Sequence, residues 1–64
     1  MDALRGELVL VLEREVGDYE WYPKEHVRVL RETETCVRIR RAWRLWPDWY
    51  PKNGPFFRVE KVEA

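Results

Sequence analysis

The stretch Cys36-Val37-Arg38-Ile39-Arg40-Arg41-Ala42-Trp43-Arg44-Leu45-Trp46 decides the fold class, because residue types alternate along it. On an extended chain Val37, Ile39, Trp43 and Leu45 fall on one face, while Arg38, Arg40, Arg44 and Trp46 fall on the other. A period of two is that of a half-buried strand, so one strand is expected over the whole of Cys36 to Trp46. Arg41 alone interrupts the apolar face, which predicts a bulge there or a guanidinium reaching past the core edge.

Twenty-eight positions upstream the same pattern starts again: Val9 aligns with Val37, Val11 with Ile39, and Glu13 with Arg41. The same offset superimposes Trp21-Tyr22-Pro23-Lys24 on Trp49-Tyr50-Pro51-Lys52. After each tetrapeptide the chain enters a β-like segment, His26-Val27-Arg28-Val29 in one case and Phe56-Phe57-Arg58-Val59 in the other. Proline sets extended geometry in the residue before it and removes a backbone donor, which suits a strand start or a sheet edge. Each half therefore reads as strand, loop, Trp-Tyr-Pro-Lys, strand, with halves spanning roughly residues 7–32 and 36–63. If the tetrapeptide is a structural joint, both copies should occupy equivalent places about a pseudo-twofold axis.

Between these landmarks the punctuation is clear. Leu8 to Leu12 is an apolar run suited to a strand buried on both faces. A helix is the alternative, since Leu4, Leu8, Val11 and Leu12 share a helical face with Asp2 as a candidate cap. Gly6 opposes the helix by about 1 kcal/mol relative to alanine. Gly17-Asp18 marks a turn, Arg31 to Thr35 reads as a polar hairpin tip, and Trp46 to Pro55 is a rigid loop rich in proline and aromatic residues. The expectation is one all-β domain over residues 1–64: a small antiparallel barrel or strongly twisted sheet of four to five short strands. By architectural analogy it is of the SH3-like or OB-like kind. An α+β fold with an N-terminal helix is the alternative.

A chain of 64 residues buries only about 60% of its unfolded surface, so its core needs a supplement. One cysteine and one histidine provide neither a disulfide framework nor the usual structural zinc set, and no cofactor or metal is expected. Four Trp, three Tyr and two Phe leave aromatic packing, ion pairs or a second chain as the supplement. Lys plus Arg balances Asp plus Glu at 12 each, so no net field steers a polyanion, although a local patch is open. Serine and glutamine are absent and charge reaches 38%, the pattern of proteins from hot environments. That predicts a melting midpoint above the ordinary mesophile range of about 45–65 °C, and a calorimetric midpoint inside that range would contradict it. No apolar run is long enough to span a bilayer and no leader opens the chain, so no membrane partner and a cytoplasmic location are expected.

Catalysis finds little footing. His26 and Cys36 are the only pair resembling a nucleophile and base, and a lone cysteine on an apolar strand is ordinarily a packing residue. There is no glycine-rich phosphate loop, and the carboxylates are scattered among arginines. The expected function is a non-enzymatic interaction module, a homodimer or a binder of a protein partner. Its candidate surface is Trp21, Tyr22, Trp46, Trp49 and Tyr50, more ring area than so small a core encloses. The alternative is single-stranded nucleic acid along Arg38, Arg40 and Arg44, with Trp46 as a stacking platform. Against that alternative, Glu13, Glu15, Glu32, Glu34 and Glu60 are numerous enough to pair with every one of these arginines.

Overall fold

A computed structural model describes residues 3–63. Six strands follow one another: β1 (Leu8–Glu13), β2 (Tyr22–Arg28), β3 (Arg31–Glu32), β4 (Cys36–Ile39), β5 (Asp48–Pro51) and β6 (Phe57–Lys61). They form two antiparallel three-stranded sheets with orders β2-β1-β6 and β3-β4-β5. The alternation read from the sequence operates on both central strands. Val9 and Val11 of β1, and Val37 and Ile39 of β4, are fully enclosed. With Val27 and Val29 they make a core of aliphatic side chains, and Leu4, Tyr50, Phe57 and Val59 pack against it.

The expected two-sided burial of β1 is corrected. Leu8 and Leu10 are half-exposed on its outer face. Leu12 is buried beside Val11 because the β1–β2 register slips there, from Val11 opposite Glu25 to Leu12 opposite Pro23. The bulge leaves Lys24 as the extra residue and breaks the alternation.

The N-terminal helix is not formed. Gly6 takes φ +80°, which an α-helix does not accommodate, and the chain enters β1 at Leu8. The proposed cap, Asp2, lies outside the described residues.

The barrel is corrected too: six strands divide between two sheets and do not close. The chain hands over between the sheets at two corners. At one, Val29 N–H donates to Glu7 O at 3.0 Å and the next residue, Leu30, donates to Arg38 O at 2.9 Å. At the other, Val59 N–H donates to Lys52 O at 3.1 Å beside the Asn53–Arg58 bridge. Arg31 to Thr35, expected as a tip, contributes β3 before turning through Thr33, whose N–H donates to Cys36 O at 2.9 Å.

The long strand from Cys36 to Trp46 ends at Ile39. Its neighbours stop there: β3 is two residues long and β5 pairs no further than Asp48 opposite Ile39. A strand without a ladder on either side has unpaired backbone groups and gains nothing by staying extended. The chain turns at Ala42–Trp43, closed by Arg44 N–H donating to Arg41 O at 3.1 Å. Trp43 and Leu45, expected in the core, are 67% and 74% exposed.

Exchanging β1 with β4, β2 with β5 and β3 with β6 turns one sheet order into the other. Register does not follow. Tyr22 lies opposite Glu13 at the end of β1, whereas Tyr50 lies opposite Val37 near the start of β4. The two tetrapeptides therefore occupy different places, contrary to the expectation for a symmetric joint.

Candidate interaction surfaces

The loop that leaves β4 is held by one buried charge. Arg41 is 5% exposed; its Nη2 lies 2.6 Å from Glu13 Oε2 and its Nε 3.0 Å from Glu25 Oε2. Glu25 also accepts from Ala42 N–H at 2.9 Å, so its carboxylate fixes both the guanidinium and the turn after it. Burial opposes the charge on Arg41, but the two carboxylates outweigh it and hold the guanidinium above its ordinary basicity. The rings of Tyr50, Phe57 and Trp43 lie 5.4, 5.5 and 5.7 Å from the guanidinium carbon.

The five aromatic candidates part company. Trp21 is half-buried between two guanidiniums, Arg14 at 4.4 Å and Arg58 at 4.6 Å from its ring centre. Arg14 also donates to Pro55 O from Nε at 3.0 Å and Nη2 at 2.6 Å, so this ring clasps the 50s loop to the end of β1. Tyr22 is exposed, and its hydroxyl donates to Asp18 Oδ2 at 3.0 Å. Tyr50 stacks on Phe57 with centroids 4.8 Å apart and belongs to the core's edge. Trp46 and Trp49 remain, 73% and 46% exposed, on either side of Pro47-Asp48. The copies of the tetrapeptide thus differ in use, and the difference is measurable. Trp21→Ala should cost about 1–2 kcal/mol, two cation–π contacts at roughly 0.5–1 kcal/mol each. Trp46→Ala should stay within about 0.5 kcal/mol of the parent when both are melted at concentrations low enough to be monomeric. Urea melts check this; equal losses would contradict the assignment.

The arginine row does not exist as one strand face. Arg44 lies beyond the turn and pairs with Asp48 at 2.9 Å. Arg38 sits opposite Arg31 on one side and Trp49 on the other. Three of the five glutamates expected as cover are spent elsewhere, Glu13 on Arg41, Glu32 on Lys52 and Glu60 on Arg58, and among the described residues Glu15 and Glu34 make no ion pair. Among the described residues, Arg31, Arg38 and Arg40 make no ion pair.

The Lys52–Glu32 contact, at 2.7 Å, ties the second tetrapeptide to β3. The Lys52 ammonium, then the Leu4 and Arg5 N–H groups, hold the Glu32 carboxyl below its ordinary value of 4.5. A depressed folded-state value stabilises the fold above pH 4.5 and loses that contribution as pH falls through the lower value. Glu32→Gln should therefore flatten the acid limb of a stability-against-pH curve. An unchanged limb would contradict it.

Sequence reading missed a groove of about 870 Å³ between β2 and the segment Arg40 to Leu45. Its lining includes His26, Arg28, Arg40, Trp43, Arg44 and Leu45, together with Glu25 and Arg41. Arg28 and Trp43 were visible in the chain, but their meeting depends on where β4 stops. Cys36 and His26 are held in different sheets, opposite Pro51 and Leu10 respectively. No helix among the described residues is long and apolar enough to cross a membrane. Comparison with family models, curated proteins and solved structures returns no match.

Proposed function

We propose that the protein is a non-enzymatic interaction module that self-associates as a homodimer through Trp46 and Trp49. The observation that carries this reading is the exposure of these two rings after Trp21 and Tyr50 have been taken up inside the fold. Tryptophan is an enriched anchor at interfaces, and neighbouring exposed rings mark a contact surface rather than ordinary solvent-facing positions. The aliphatic core of six buried residues is small, so apolar area buried by a second chain adds usefully to it. The double variant Trp46→Ser/Trp49→Ser should fold and run as a monomer on a sizing column under conditions where the parent is a dimer. A variant that remains dimeric would remove these rings from the interface.

A second reading, single-stranded nucleic acid on the outer face of the β3-β4-β5 sheet, draws support from Arg31 and Arg38. Like charges directly opposite one another on paired strands destabilise a sheet, and no carboxylate among the described residues pairs with either arginine. Phosphate would, and Trp49 beside Arg38 offers a ring for stacking. Titration with oligothymidylate should quench tryptophan fluorescence, more weakly at higher salt. Quenching that ignores salt, or none, would discard this reading.

A further inference from the structure

We infer that the groove between β2 and Arg40–Leu45 takes an extended acidic peptide, which adds as a strand to the free edge of β2. The proposal stands apart from the Trp46–Trp49 surface, since neither ring lines the groove.

The edge follows from the alternation of backbone directions. Val29 donates to Glu7 O at 3.0 Å and accepts from Gly6 N–H at 2.8 Å, so its peptide groups face the β1 side. Leu30 N–H donates to Arg38 O at 2.9 Å and faces the β4 side. Directions alternate along a strand, so Val27 follows Val29, while His26 and Arg28 follow Leu30. Beyond Ile39 the chain leaves the sheet and turns away at Ala42. Among the described residues, no backbone hydrogen bond joins His26 or Arg28 to Arg40–Leu45. The N–H and C=O groups of His26 and Arg28 therefore open into the groove, as a ladder lacking its next strand.

Charge selects the occupant. Arg28, Arg40 and Arg44 line the groove, and Glu25, its one carboxylate among the described residues, is committed to Arg41 and Ala42 N–H. Arg44 is partly offset by Asp48, and Arg28 donates to Gly6 O at 2.7 Å, but among the described residues Arg40 makes no ion pair. An added strand directs alternate side chains to opposite sides. Trp43 and Leu45, both lining the groove and largely exposed, suit the apolar half of an alternating acidic and apolar sequence. An oligonucleotide would use the arginines and Trp43 but would leave the β2 backbone groups unpaired.

The test is fluorescence anisotropy of a short labelled peptide alternating glutamate and valine, at low and at physiological salt. Two N-methylated versions, blocked on alternate residues in the two registers, probe the ladder directly. Binding should saturate, weaken with salt, and fall by about tenfold or more for one N-methylated register only, since tenfold corresponds to about 1.4 kcal/mol. Arg28→Glu/Arg40→Glu should lose a similar factor, and Arg40→Gln gives a smaller loss should the double variant fail to fold. Trp46→Ser/Trp49→Ser should keep the parent's peptide affinity, which separates this result from the dimer. Equal affinity for both methylated registers, no effect of charge removal, or binding of oligothymidylate but not of the peptide would each overturn the proposal.

Discussion

Arg41→Ala is expected to lower the melting midpoint by roughly 12–40 °C. Removing one partner from a buried ion pair costs about 3–5 kcal/mol, because the remaining charge stays desolvated. Each kcal/mol moves the midpoint of a domain this size by about 4–8 °C. Here the residue left behind is Glu25, whose side chain is 16% exposed and would keep only the Ala42 N–H. Glu13, more open to solvent at 37%, rehydrates more easily. Total stability for this length is roughly 3–10 kcal/mol, so the loss is a large fraction of the whole. The turn at Ala42–Trp43 should loosen in the same variant, since Arg41 orients the Glu25 carboxylate that accepts from Ala42 N–H. Circular dichroism melts read the first effect and Trp43 quenching the second. A shift of only a few degrees would mean that the triad is a surface ornament.

Ile39→Ala is the second large effect, at about 2–5 kcal/mol, and Ile39→Val should cost only about 0.5–1.5 kcal/mol. Ile39 is fully enclosed at the last position of β4, where the two sheets meet over Val9, Val11 and Val37. The neighbouring strands are too short to close over a cavity there. Denaturant titration should show a falling midpoint with an unchanged slope; equal costs for both variants would indicate that the site refills and is not packed as described.

Much of this arrangement could be read in the chain. The alternation of Val37 and Ile39 identified β4 and the face it buries, and the apolar run from Leu8 to Leu12 identified β1 as a strand but not that only one of its faces is enclosed. The 28-residue offset that aligned Glu13 with Arg41 also named two residues that now lie 2.6 Å apart. What alternation could not show was where β4 ends. Trp43 and Leu45 continue the period faultlessly, yet a strand lasts only as long as its ladder partners, and those are set by distant segments. Glu25 was invisible for a related reason: it sits among Lys24 and His26 with no pattern, and acquires meaning only because β2 carries it to Arg41. The arginines misled in the opposite direction. Their number made neutralisation by glutamate the natural expectation, but Glu13, Glu32 and Glu60 are bound to other cations, and among the described residues Glu15 and Glu34 pair with no arginine, leaving Arg31, Arg38 and Arg40 without an ion pair there.

The same accounting explains the tryptophans. A core filled by six aliphatic side chains has no room for four indoles, and Trp21 alone of them is drawn in, by two arginines rather than by the core. Trp43, Trp46 and Trp49 are left outside, and the account of function rests on the last two. The most direct measurement is the solution mass by light scattering across a concentration series reaching high micromolar. The account predicts a mass of two chains that falls to one for Trp46→Ser/Trp49→Ser. A parent protein that stays at one chain mass throughout the series would contradict it.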